Sequence, residues 1–331
     1  MRKELESLGY RVHDTPLSRV GMNPLADCRT LWHLWRLMRK VKPDTVLAYT
    51  IKPVIYGLLA ARLAGVGKRF ALITGLGYSF QEPSDSSRAR VLLRLLVQRL
   101  YAFSLRGTST VFFQNPDDRQ LFRERGLLSS DANAVVVNGS GVDVSKFSVV
   151  PLPVQMSFLL IARLLGDKGV REYAAAARRV RAANPNIAFN LVGWIDDNPD
   201  AINKVELDAW IADGTLSYLG RMTDVRPAIA ASSVYVLPSY REGTPRTVLE
   251  AMAMGRPVIT TNAPGCRETV QDGLNGYLVA VKSVDELAAA MFHFVNAPER
   301  VDSMGQAARV LAVEKYDVNK VNLMMLQEMH I

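Results

Sequence analysis

Ser239–Asn262 reads SYREGTPRTVLEAMAMGRPVITTN and follows directly on the apolar run Val234–Leu237. Its order is a strand end, a Gly and Pro turn, a short helix and the next strand, a compact layout for receiving a phosphate. Thr244 is the expected N-cap and Pro245 the first helical residue, which puts Glu250 in the second turn and leaves Glu242 in the loop. Both carboxylates can then face the loop mouth. The amides of Thr244, Arg246 and Thr247 point there too, while Pro245 supplies none. A helix N-terminus favours an anion by roughly 0.3 to 1 kcal/mol. By spacing alone the two carboxylates read more readily as a solvated surface beside a proline turn.

Working outward, the E-x7-E spacing of Glu242 and Glu250, the wording EGTPRTVLEAMAMGRPVI and the later PGCRETVQDGLNGYLV resemble the retaining GT-B glycosyltransferases of family 4. An earlier strand ends in ARLLGDKG, where Arg163 and Lys168 lie five residues apart across a Gly turn. That spacing lets one loop offer a diphosphate a guanidinium fork and an ammonium point charge. It resembles the R-x4-K pair of the same family.

The resemblance extends over nearly the whole chain and implies an α/β GT-B fold, two Rossmann-like doubly wound domains facing a cleft. Residues 1–148 would be the acceptor-side domain, 155–315 the nucleotide-sugar domain, and 316–331 a C-terminal helix crossing back to the first. By the same analogy Arg163 and Lys168 bind the diphosphate, Glu250 the ribose hydroxyls, and Glu242 the donor sugar together with the backbone of Gly243, Thr244, Arg246 and Thr247. It implies no metal and no cofactor beyond a UDP-sugar donor. The two cations meet the charge that develops on the leaving diphosphate, with retention of configuration at the sugar.

The first half supplies acceptor-side candidates. Pro43 and Asp44 lead into DTVLAY, a short apolar strand of the kind that parallel sheets bury. Ligands of open α/β sheets collect beyond carboxyl ends of strands, which singles out Lys52 and Tyr56; an ordinary solvated lysine is the other reading. Strand Phe70–Ile73 ends in TGLGYSFQEPSDSS, whose Gly75, Gly77 and Tyr78 belong to a loop expected to face the acceptor. The helix from Arg88 to Arg106 interleaves leucines with Arg88, Arg90, Arg94 and Arg99. It reads either as a contact with an anionic membrane or as a buried helix with an arginine rim.

Strand Thr110–Gln114, helix Pro116–Glu124 and strand Val135–Val137 come next. NGSGVDVSKF then matches a family segment closing the first domain through Asn138, Gly139, Asp143 and Phe147, and Val149–Val154 is the expected linker. Strands at Met156–Ile161, Ala188–Val192, Leu216–Tyr218, Val234–Leu237, Pro257–Thr260 and Tyr277–Val279 alternate with helical patterns and predict a parallel sheet. Amphipathic helices fill Val284–Met329. The wording TIKP, ITGLGY and FFQNPDD looks closest to the branch that adds hexoses or N-acetylhexosamines to undecaprenyl-diphosphate sugars. The implied acceptor is a membrane-held lipid-diphosphate saccharide in polysaccharide assembly.

Composition sets outer bounds. The 331 residues suffice for two domains and are 49% hydrophobic, with a net charge of +8 and a pI near 9.5. No run is long enough to span a bilayer, and MRKELESLGYRV lacks the apolar centre of a signal peptide. The expected place is cytoplasmic, peripheral on the inner face of the plasma membrane. Cys28 and Cys266 form no CxxC or Cys/His cluster and read as small buried fillers, and the four histidines lack ligand spacing. Positive charge also admits a nucleic-acid partner, but basic residues without aromatic interleaving or a binding module argue against one.

The start of the chain departs from the family pattern. Met1–Leu8 reads as a helix end, Gly9 as its cap and Tyr10–Leu17 as a strand, with no strand or phosphate loop before them. The following helix, capped by Asn23, runs from Pro24 to about Val41, with Leu25, Cys28, Trp32 and Trp35 along one stripe and the tryptophans in the core. The first domain is therefore expected to be incomplete. A strand and a Gly-rich turn would be encoded upstream or lost, and the chain would bind nucleotide sugar weakly and transfer poorly. A catalytically impaired fragment that only binds nucleotide sugar is the alternative to an active enzyme.

Overall fold

A computed structural model describes residues 2–17, 23–76 and 88–331. They divide into two compact units, Met1–Phe112 with Arg119–Val135 and Phe113–Asp118 with Val136–Ile331.

The first unit is built on a sheet in the order β1 (Thr45–Tyr49), β2 (Lys68–Ile73), β3 (Thr110–Phe113), β4 (Ala134–Val136), with β1 and β2 parallel and in register from Thr45 opposite Lys68. The last residues of β3 and β4 count with the second unit. The helices are α1 (Arg2–Ser7), α2 (Pro24–Val41), α3 (Leu58–Leu63), α4 (Arg88–Leu105) and α5 (Pro116–Glu124), whose first turn also belongs to the second unit. Phe70, Phe112, Tyr101 and Phe122 are buried in it, the last two ring edge to ring face.

Two expectations fail here. Residues 10–17 form no strand. Their carbonyls are taken by side chains instead: Arg2 donates to Val12 O, His33 Nε2 sits 3.0 Å from Asp14 O, and Thr30 donates to Pro16 O. A ladder needs those groups free for a neighbouring strand. The second failure is in α2. Asn23 caps it through Leu25 N and Ala26 N, as its sequence predicts, yet Leu25, Cys28 and Trp32 are exposed and Trp35 is half-buried. The buried residues are Asp27, whose carboxylate Lys52 neutralises from 3.1 Å, and Thr30, whose hydroxyl donates to the Pro16 and Ala26 carbonyls.

The second unit is a six-stranded parallel sheet in the order β10-β9-β8-β5-β6-β7. The strands are β5 (Ser157–Leu164), β6 (Ala188–Ile195), β7 (Ser217–Tyr218), β8 (Val234–Leu237), β9 (Val258–Thr261) and β10 (Gly276–Val279). Strand β5 is central and its Phe158, Leu159, Leu160 and Leu164 are buried, the continuous apolar run of a strand covered on both faces. Helices α6 (Val170–Ala183), α7 (Lys204–Ala212), α8 (Arg226–Ala230), α9 (Arg246–Ala253), α10 (Val284–Asn296), α11 (Glu299–Lys315) and α12 (Val318–Met329) complete the unit. Two hydrophobic clusters lie in it, one holding Phe158, Val180, Phe189 and Phe294, the other Leu159, Tyr235, Val248 and Tyr316. Val149–Val154 lies within this unit, where buried Arg256 donates to the carbonyls of Val150 and Pro151 and also to those of Ile229, Ala230 and Met254. Among the described residues no helix is long and apolar enough to cross a membrane.

Candidate active site

In the second unit β5 and β8 are neighbours, paired Phe158 with Val234 and Leu159 with Tyr235. Their carboxyl ends therefore deliver the 163–168 segment and the 238–245 loop to one place. The short turn Gly166–Lys168 ends on Gly169 with φ 70°, where a Cβ would sit 2.2 Å from Pro238 O. Only glycine permits that approach. Beside it Lys168 Nζ lies 2.6 Å from Glu242 Oε1, both side chains mostly buried, and Ser239 donates to the same oxygen at 2.7 Å. Burial opposes the Lys168 charge, but the Glu242 carboxylate outweighs it and holds the ammonium above its ordinary pKa. Arg163 is about half exposed and pairs with Asp196 at 3.1 Å.

The helix after the loop starts one residue later than expected. Pro245, with ψ 109°, is the N-cap and Arg246 the first residue of α9. The Thr244 hydroxyl donates to Gln114 O at 3.0 Å, which removes it from capping. Glu250 stands in the second turn, 5% exposed, with Arg246 Nε at 3.0 Å. Burial raises its pKa and Arg246 only partly offsets this. Thr247 is held by the Tyr235 hydroxyl at 2.6 Å.

The loop itself is fixed residue by residue. Tyr240 N bonds Asp167 O and Glu242 N bonds Pro264 O. Arg241 pairs with buried Asp118, and Asn115 Nδ2 donates to the carbonyls of Glu242 and Gly243. A Cβ on Gly265 would stand 2.1 Å from Glu242 O, so the PGC turn closes on the loop backbone. Buried Cys266 lies close by, its thiol pushed up to about 12 by burial and the Glu242 charge, and so unreactive. None of Asn115, Asp118, Ser239, Gly265 or Asp196 stands out in the sequence as a site residue. Asn115 and Asp118 were visible only as part of FFQNPDD. Among the described residues no group of three His, Cys, Asp or Glu side chains is placed to hold a metal ion.

Of the acceptor-side candidates, Lys52 is paired with Asp27 in the first unit. Tyr56 is buried beside them, and burial and the Asp27 carboxylate push its phenol well up. Sequence reasoning missed Asp27, which looks like an ordinary first-turn acid. Gly75 follows β2 with φ 108°, whereas Gly77 and Tyr78 lie outside the described residues.

A family model described as "Glycosyl transferases group 1" matches residues 155–296, and one described as "Glycosyl transferase 4-like" matches residues 2–115. The chain is 27% identical over 301 residues to the N,N'-diacetylbacillosaminyl-diphospho-undecaprenol alpha-1,3-N-acetylgalactosaminyltransferase of Campylobacter jejuni, covering 86% of this chain and 77% of that protein. It is 28% identical over 291 residues to the Escherichia coli UDP-Gal:alpha-D-GlcNAc-diphosphoundecaprenol alpha-1,3-galactosyltransferase, covering 84% and 71%. Among solved structures, Anabaena HepE in complex with UDP matches with a TM-score of 0.78 at 18% identity, over 99% of this chain and 88% of that one. Sucrose-phosphate synthase from Thermosynechococcus elongatus matches with a TM-score of 0.80 at 20% identity, over 96% and 81%. The fold is GT-B.

Proposed function

This chain belongs to the group 1 glycosyltransferases, and we propose that it moves a hexose or N-acetylhexosamine from a UDP-sugar to a lipid-diphosphate-linked saccharide in glycan biosynthesis. The observation that carries the reading is the meeting of Lys168 with Glu242, an ammonium and a carboxylate brought together by the segments that follow the neighbouring strands β5 and β8. Lys168 has three N–H donors and gives one to Glu242, which leaves two for phosphate oxygens. Arg163, already exposed, can exchange Asp196 for the diphosphate. Glu250 accepts the ribose hydroxyls. Both protein partners of Glu242 sit on Oε1, so Oε2 is available to accept from a hydroxyl of the donor sugar.

Cations held in a partly dry site stabilise the diphosphate as the bond to the sugar breaks. In this reading they take the place of a divalent ion, the reaction retains configuration, and turnover should persist in EDTA. Loss of transfer on chelation, restored by Mn²⁺ or Mg²⁺, would overturn the metal-independent mechanism. The decisive assay is transfer of labelled sugar from UDP-galactose or UDP-N-acetylgalactosamine to an undecaprenyl-diphosphate saccharide. Transfer abolished in Arg163→Ala and Lys168→Ala supports the assignment; transfer unchanged in both rejects it. We further propose that α4 brings the enzyme to the anionic membrane holding the acceptor, since Leu95, Leu96 and Arg99 are exposed on it. Flotation with anionic but not neutral vesicles, weakened by Arg99→Glu, checks this.

A further inference from the structure

We propose that Asn115 is a positioning residue for the donor loop, setting the peptide planes on either side of Gly243 so that the Gly243 and Thr244 amides are presented to the donor sugar. The inference rests on the donor-site reading above. Asn115 is completely buried between β3 and α5. Its Oδ1 accepts from Asp118 N at 2.8 Å and caps α5, while its Nδ2 donates to Glu242 O at 3.3 Å and Gly243 O at 3.0 Å. One carboxamide thus fixes a helix start and two consecutive loop carbonyls.

In a trans peptide the carbonyl and the amide point in opposite directions, and no cis bond occurs among the described residues. Tying the carbonyls of Glu242 and Gly243 to Asn115 therefore turns the amides of Gly243 and Thr244 to the other side of the loop. Neither amide donates to a carbonyl of the described residues. The carbonyl side is already filled, because Gly265 packs against the same two oxygens. Asp118, buried and paired with Arg241, anchors the residue preceding Glu242 to the same four-residue segment. The loop is held on both sides of its catalytic carboxylate from the start of α5. Two aligned donors left open beside that carboxylate match the hydroxyl oxygens of a sugar, and not the diphosphate or ribose, which Arg163, Lys168 and Glu250 serve.

The role separates from a merely structural one by its readout. Asn115→Asp keeps the cap oxygen and the volume but cannot donate to the carbonyls. In the full chain, titrated with UDP and with UDP-galactose or UDP-N-acetylgalactosamine, the variant should lose about tenfold in affinity for the sugar nucleotide relative to UDP, the loss of roughly one to two net hydrogen bonds. Affinity for UDP should stay within about twofold. Parallel loss of both affinities, or loss of neither, overturns the proposal. Should Asn115→Asp fail to fold, hydrogen exchange on the wild-type chain decides: the Gly243 and Thr244 amides should slow with sugar nucleotide and not with UDP alone. Equal exchange in the two complexes overturns the proposal. A wild-type chain binding neither nucleotide rejects the donor-site reading on which it depends.

Discussion

Lys168 and Glu242 are each other's main charge partner in a site that excludes most water, so the loss of one strands the other. Breaking such a pair costs about 3 to 5 kcal/mol, and with solvent still reaching both groups the lower figure applies. Lys168→Ala should therefore unfold at lower urea by about 3 kcal/mol, while Lys168→Met combined with Glu242→Gln recovers most of that stability. Both proteins should fail to bind UDP, which separates the structural from the functional share. Glu250 shows the reverse balance. Its pKa is raised by burial, so the folded chain binds its proton more tightly than the unfolded chain does. Stability therefore falls as pH climbs from the ordinary carboxylate value through the raised one, and above that the penalty stays constant. Glu250→Gln removes the penalty and should melt no lower than wild type at pH 8, yet bind UDP more weakly. A clear drop in melting temperature would contradict this. In the wild type, UDP affinity should fall as pH drops through the raised pKa.

Strands, turns and helices place these residues, and glycines decide how closely they meet. Gly265 has φ 80° and its Cα faces the carbonyls of Glu242 and Gly243; Gly169 stands in the same relation to Pro238. Neither contact can relax by a side-chain rotation, because the opposing atoms are backbone. Gly265→Ala should cost about 2 to 3 kcal/mol by denaturant titration and abolish sugar-nucleotide binding, through displacement of the 242–243 backbone. Binding retained at wild-type strength would show that the loop tolerates such a shift. Arg256 acts at the same scale without touching the site. Buried, its pKa lowered by that burial, it satisfies five carbonyls and ties the α8 end and the residues before β5 to the turn leading into β9.

At the scale of the whole molecule the candidate donor site lies entirely within the second unit, which includes residues 113–118. A ligand that binds only a folded unit stabilises that unit, by about 2.7 kcal/mol at one hundred times its dissociation constant. Calorimetry should thus resolve a transition that UDP raises from one that it leaves in place. A uniform upward shift of all unfolding heat would show that donor binding is shared by both units. The exposed apolar residues of α2 belong to the first unit, as do Leu47 and Tyr49 of β1, an edge strand among those described.

Local pattern alone determined most elements. Val234–Leu237, the Asn23 cap with Pro24, and Pro116–Glu124 are recovered to the residue, because short apolar runs and proline starts act within a few residues of themselves. The motifs EGTP, R-x4-K and E-x7-E likewise carried the family and the set of charged candidates. What tertiary structure decided was which groups spend their hydrogen bonds on one another. Asp27 is buried because Lys52, distant in sequence, comes to meet it, and this turned the α2 stripe outward. Tyr10–Leu17 has a strand's composition but no ladder, since Arg2, Thr30 and His33 claim its carbonyls. Thr244 has a cap's chemistry but bonds Gln114, and Asn115 reaches the Glu242 loop across a sequence separation of 127 residues. Such pairings depend on which chain segments fold together, and no spacing within either segment encodes them.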